Sequence, residues 1–200
     1  MSTVMTGATM SIDGFIAGPD ESGFDLLFQW YGNGDVEIVG ASPNVPPVRV
    51  SQASAQHLRQ LFESTGSLLV GRHLYDFTSA WGGRHPMDVP VVVLTHRPPD
   101  DRPEADENFV FVTGGIEEAV ERAKEIAGGK NVGVNGGQMA RQCLDAGLLD
   151  EVHVDLVPVL LGAGTPFFGE LAARPVELEG PLSVVEGTGV THLRYAVARR

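Results

Sequence analysis

The chain has 200 residues, 42% of them hydrophobic, and a mean hydropathy near zero, which suits an ordinary globular protein with one substantial core. A net charge of −12 argues against nucleic acid and anionic membrane surfaces as partners, because the field of the whole molecule would repel both. The single cysteine, Cys143, excludes an internal disulfide framework, and no stretch reaches the ~18 apolar residues that a membrane-spanning helix needs.

In chain order, Val4 to Met10 predicts a first strand, ended by the turn formers of Ser11-Ile12-Asp13-Gly14. Phe24 to Tyr31 is apolar and aromatic enough for a short helix or a pocket wall, and Gly32 to Val50 is a Gly- and Pro-rich excursion. Ser51 to Thr65 predicts a helix with Ala55, Leu58, Leu61 and Phe62 at core spacing. Ser67 to Val70 is a short apolar strand, and a helix follows Gly71-Arg72 as far as Ala80. Val91 to Leu94 and Phe109 to Val112 are buried-type strands ending in Thr95-His96-Arg97 and Thr113-Gly114-Gly115. Ile116, Ala119, Val120, Ala123, Ile126 and Ala127 form the clearest apolar helical stripe, closed by Gly128-Gly129. Val132-Gly133-Val134 then predicts a strand that turns through Asn135-Gly136-Gly137 into a helix carrying Gln138, Met139, Ala140 and Cys143. Finally, Val152, Val154 and Leu156 alternate with His153 and Asp155, and Leu182 to Glu186 and Val190 to Val197 flank a Gly187-Thr188-Gly189 hairpin turn. The pattern is α/β: a three-layer sandwich with a mixed, mostly parallel central sheet and a C-terminal antiparallel hairpin, read as one domain over residues 1–200.

Ligands of such sheets settle at the carboxyl ends of the parallel strands. Four of those ends carry Gly71-Arg72, Thr95-His96-Arg97, Thr113-Gly114-Gly115 and Asn135-Gly136-Gly137. Two supply guanidinium groups suited to phosphate, and two supply open backbone at helix starts. Together they describe a crevice for a phosphorylated ligand such as a dinucleotide, although the Gly-x-Gly-x-x-Gly spacing of the usual fingerprint is absent.

Four segments carry a resemblance to a known family. They are Ser11-Ile12-Asp13-Gly14-Phe15-Ile16-Ala17-Gly18, Leu69-Val70-Gly71-Arg72, Val132 to Gly137, and Ala146-Gly147-Leu148-Leu149-Asp150-Glu151 through Pro158 to Phe168. In this order they resemble the reductase domain of the bifunctional riboflavin-biosynthesis deaminase-reductase, which has the dihydrofolate reductase fold. With one cysteine, no deaminase zinc site is possible, and no other metal site is expected. The resemblance implies NADPH-dependent hydride transfer to a pyrimidinone- or pterin-like heterocycle, as in 5-amino-6-(5-phosphoribosylamino)uracil reductase. It further implies that Thr9, Ile16 and Ala17 border the nicotinamide. Gly71, Arg72, Thr95, His96 and Arg97 would hold the 2′-phosphate and ribose, and Asn135, Gly136, Gly137, Gln138 and Met139 the diphosphate. Thr165, in Gly164-Thr165-Pro166-Phe167, matches a threonine beside the substrate, and Asp13 is the other candidate for proton delivery.

The sequence also departs from these relatives. Dihydrofolate reductases place a carboxylate on the helix before the Gly-Arg strand, whereas that stretch reads Ala53-Ser54-Ala55-Gln56-His57 here. Asp13 or Asp25 would have to substitute, and the basic residues that would grip a sugar phosphate are not evident in residues 33–50. The expectation is therefore a cytoplasmic NADPH-dependent reductase acting on a small molecule, with a homodimer possible. The alternatives are a non-catalytic nucleotide-binding protein with the same fold and a dihydrofolate reductase using an unusual acid.

Overall fold

The structure is a computed structural model, and it describes residues 2–100, 108–172 and 174–198. Twelve strands occur among them: β1 Val4–Ser11, β2 Phe15–Ala17, β3 Val36–Ile38, β4 Val48–Val50, β5 Thr65–Gly71, β6 Val91–Leu94, β7 Phe109–Val112, β8 Asn131–Asn135, β9 Glu151–Val157, β10 Thr165–Pro166, β11 Leu178–Gly187 and β12 Val190–Val197. The α-helices are α1 Phe24–Leu27, α2 Gln52–Ser64, α3 Arg72–Phe77, α4 Ile116–Ala127 and α5 Gln138–Asp145.

Eight strands form one sheet in the order β11-β12-β9-β1-β8-β5-β6-β7. Every pairing from β9 to β7 is parallel, and β12 and β11 add an antiparallel hairpin at one edge. The mixed α/β sheet read from the sequence is therefore the fold observed. Alternating residues sort to two faces. Val4, Leu69, Val92, Val132, Val134 and Val152 lie in one core with the apolar sides of α4 and α5. On the other face Val157 and Val190 pack with Ala55 and Leu58 of α2, and Val70, Val91 and Val93 pack beneath α3. Cys143 is fully buried in the first of these cores, where burial pushes its thiol up to about 12.

Local chemistry explains most boundaries. Ser51 caps α2, its side chain accepting from the Ser54 N–H at 3.2 Å. Gly128 closes α4 in the left-handed conformation. Three larger differences from the sequence reading have physical causes. The excursion of residues 32–50 contains the short hairpin β3–β4, whose three-residue strands give too little alternation to detect. Helix α3 stops at Phe77 instead of Ala80, because Ser79, Ala80 and Trp81 take positive φ and turn the chain away. Strand β11 starts at Leu178, four residues earlier than read, across a register shift between Glu179 and Ser183. Among the described residues no helix is long and apolar enough to cross a membrane.

Candidate functional site

A cavity of about 1400 Å³ opens along the face of the sheet covered by α1, α2 and α3. Sites for one small molecule usually enclose roughly 300–1,000 Å³, so this one has room for two ligands side by side. Its floor follows from strand register. Asn135 of β8 lies beside Gly7 of β1, and Gly7 and Thr9 lie beside His153 and Asp155 of β9. All five line the cavity, and Gly7 leaves the floor open where a side chain would stand.

Gly71, Arg72, Thr95, His96, Arg97, Asn135, Gly136, Gly137, Gln138 and Met139, which come from three strand ends, all line this one cavity. The ends touch each other. The Arg72 guanidinium donates to the Arg97 carbonyl at 2.8 Å, and the Thr95 hydroxyl donates to the same oxygen at 3.0 Å. A Cβ on Gly71 would stand 3.7 Å from the Met139 side chain. The two guanidinium groups pair at the surface with Asp76 and Asp100, each at 2.8 Å.

The glycine pair has a steric reason. A Cβ on Gly136 would come within 3.1 Å of Ile16 Cδ1 and 3.2 Å of Ala8 Cβ, and Gly137 has φ 77°. Its N–H donates to the Phe167 carbonyl at 2.7 Å, and no side chain caps the N-terminus of α5 behind it. Strand β10 pairs Thr165 with Ala17, so Thr165, Ile16, Ala17 and the glycine pair share one corner of the cavity. Asn135 completes the corner. Its Nδ2 donates to the Gly136 carbonyl at 2.9 Å, while its buried Oδ1 has no partner among the described residues. An orphaned acceptor on a cavity floor is open to a hydrogen-bond donor from a ligand or a water.

Asp13 is placed elsewhere. Its carboxylate accepts from the Ser11 hydroxyl and from the Leu161 and Gly162 N–H groups at 2.6, 3.1 and 2.6 Å, and it does not line the cavity. The Ser11 bond foremost holds it below the usual carboxylate range. It ties a loop, and Asp25 is an exposed residue of α1 that also lies off the cavity wall.

A carboxylate does reach the cavity, from β9. Asp155 Oδ1 lies 2.6 Å from His192 Nδ1 and 3.7 Å from His57 Nε2. His192 is 1% exposed, and its Nε2 meets the Ser54 hydroxyl at 2.9 Å. The His57 ring stacks on His192 with centroids 4.1 Å apart. Burial pushes His57 down to about 4, with Asp155 partly opposing, so its ring is neutral at pH 7. Burial, and then the charge of Asp155, push the nearby Tyr31 hydroxyl up. Sequence spacing could not show this cluster, since His192 lies 37 residues from Asp155 and 138 from Ser54. The one available signal was the alternation of β9, which put His153 and Asp155 on a common face.

The donor atoms of His57, Asp155 and His192 lie within 4.8 Å of one another, close enough to share one metal ion. Both ring nitrogens of His192 are already engaged, so a metal would have to displace Asp155 or Ser54 from it.

Comparison with known proteins gives a consistent answer. The family model for the RibD C-terminal domain matches residues 2–190. YwjB, an uncharacterized protein of Bacillus subtilis (strain 168), is 25% identical over 164 residues, covering 81% of this chain and 80% of its own. A Shewanella sp. PV-4 protein named for riboflavin biosynthesis superposes with a TM-score of 0.70 at 22% identity, over 98% of this chain and 99% of its own. RibD of Acinetobacter baumannii gives 0.62 at 16% identity, over 99% of this chain, which spans 58% of that longer protein. Dihydrofolate reductase of Enterococcus faecalis, solved with NADP(H) and RAB-propyl, gives 0.57 at 15% identity, over 98% of this chain and 97% of its own. These structural likenesses show a shared fold.

Proposed function

The chain belongs to the RibD C-terminal domain family, and on that premise we propose that it is an NADPH-dependent reductase of a small nitrogen heterocycle. One observation carries the proposal. Three strand ends bearing two guanidinium groups, a glycine pair and an uncapped helix start converge on a cavity with room for two ligands.

The residues present fit the cofactor. Arg72 and Arg97 would hold a 2′-phosphate, giving a physical preference for NADPH over NADH. The N–H groups at the uncapped start of α5 would take the diphosphate, with Gly136 and Gly137 leaving room beside it, since a Cβ at Gly136 would intrude on Ile16 and Ala8. The orphaned Asn135 Oδ1 would accept a hydrogen bond from the bound cofactor. NADPH would supply a hydride; the protein's own part is to position the two rings and exclude water. Ile16, Ala17 and Thr165 close the corner around the reacting centre, and Phe24, Phe28 and Tyr31 wall the cavity beyond it.

Stopped-flow absorbance of the reduced nicotinamide tests the reading. Mixing NADPH-loaded protein with pyrimidine and pterin compounds that carry a reducible C=N bond should produce cofactor oxidation. Tight NADPH binding with no oxidation by any of them would leave a nucleotide-binding protein and overturn the reductase.

A further inference from the structure

The sequence lacks an acid where dihydrofolate reductases carry one on a helix, yet the cavity has one in Asp155. Its Oδ1 is occupied by His192 and faced by His57, while Oδ2 has no hydrogen-bond partner among the described residues. The side chain is 20% exposed and lines the cavity. A carboxylate oriented by a buried histidine, with its second oxygen unpaired and its side chain part of a cavity wall, can receive an N–H donor.

Position supports that assignment. Asp155 pairs with Thr9 and Asn135 with Gly7, so the two side chains stand two strands and two residues apart, roughly 12 Å. The glycine-pair corner follows directly on Asn135. A flat ring bound to Asp155 would therefore lie beside that corner, within the same cavity.

The guanidinium groups gather at one end of the cavity, where Glu21, in contact with His73, is the acidic residue of the lining. Among the described residues no lysine lines the cavity, and the only arginines that do are Arg72 and Arg97. These follow β5 and β6, while Asp155 is on β9, three strand spacings or ~14 Å from β5. Arg194 of β12, which stands opposite His153, pairs with Glu151 at 3.6 Å and is not in the lining. A phosphate placed beside Asp155 would meet like charge, with no lysine or arginine of the described lining within reach to offset it.

Resting on the reductase reading, we propose that Asp155 is the substrate-anchoring residue, and that the substrate is a flat, unphosphorylated nitrogen heterocycle presenting an amidine-type N–H edge to it. This names a substrate class different from a sugar-phosphate-bearing pyrimidine.

Calorimetric titration with 2,4-diaminopyrimidine as the amidine probe and uridine 5′-monophosphate as the phosphorylated probe tests it, with and without NADP⁺. The wild-type protein should bind the diaminopyrimidine and not the nucleotide. Asp155→Asn should weaken the diaminopyrimidine roughly tenfold to a hundredfold while NADPH affinity in the same variant stays within about twofold, which also reports that it folds. Should that variant fail to fold, the ¹⁵N spectrum of labelled diaminopyrimidine on the wild-type protein decides, since a carboxylate partner requires a protonated ring nitrogen. Unchanged affinity in Asp155→Asn, an unprotonated bound ring, tighter binding of the nucleotide, or no binding of the diaminopyrimidine overturns the proposal. Absence of NADPH binding would instead overturn the reductase reading, because the diaminopyrimidine titration of the cofactor-free protein still tests Asp155.

Discussion

Acidification from pH 7 to pH 5 should destabilise the protein through two histidines. Burial pushes both His57 and His85 down to about 4. The Met87 N–H donates to His85 Nδ1 at 3.1 Å, a bond that protonation of that nitrogen would break. In the unfolded chain both return to about 6.5, so between these values the unfolded state binds more protons than the folded one. The contribution of each neutral ring is thus complete above about pH 6.5 and is lost progressively as pH falls toward 4. At pH 5 an unfolded imidazole is about 97% protonated and the folded one about 9%, which costs about 2 kcal/mol per histidine relative to pH 7. The His57 side chain is 21% exposed, so solvent screening lowers its share, and the pair should cost roughly 2–4 kcal/mol. For a chain of this length that is a fall in Tm of roughly 5–15 °C. Asp13 does not confuse the window, because its lowered pKa matters only below about pH 4. Circular-dichroism melts at pH 7, 6 and 5, repeated on the His57→Gln/His85→Gln double variant, measure the effect. A Tm unchanged to within about 2 °C in the wild type, or an equal acid loss in the double variant, refutes the reasoning.

Two substitutions probe the cofactor rim. Arg72→Ala removes a guanidinium and its bond to the Arg97 carbonyl, so NADPH affinity should fall roughly tenfold to a hundredfold and NADH affinity much less. Equal losses by fluorescence titration would remove the 2′-phosphate assignment. Gly136→Ala places a methyl 3.1 Å from Ile16 Cδ1 and 3.2 Å from Ala8 Cβ. It should cost about 1–3 kcal/mol of stability and also weaken NADPH, and an unchanged melt and affinity would show that the corner yields without strain.

Much of this protein is legible in its sequence, because alternating apolar strands and amphipathic helices with glycine stops encode an α/β sheet locally. The strand-end segments at 71–72, 95–97 and 135–138 could be identified for the same reason, since a parallel sheet brings its carboxyl ends to one side. What stayed hidden depends on pairing. Asp155 meets His192 only because β9 and β12 pair antiparallel with those two residues opposite, a register that no local pattern specifies. Asp13 shows the converse, a residue whose Asp-Gly context fits either a relay or a turn, and whose hydrogen bonds to Leu161 and Gly162 decide for the turn. The β3–β4 hairpin was masked by its glycines and prolines, and it walls the cavity through Ile38 and Val48.

Backbone amide mapping of NADPH by ¹H–¹⁵N correlation spectra tests the central claim most directly. The account predicts that NADPH perturbs residues 71–72, 95–97 and 135–139 together, at one saturable affinity. Perturbations confined to one of these segments, or scattered over the α4 and α5 face, would contradict it.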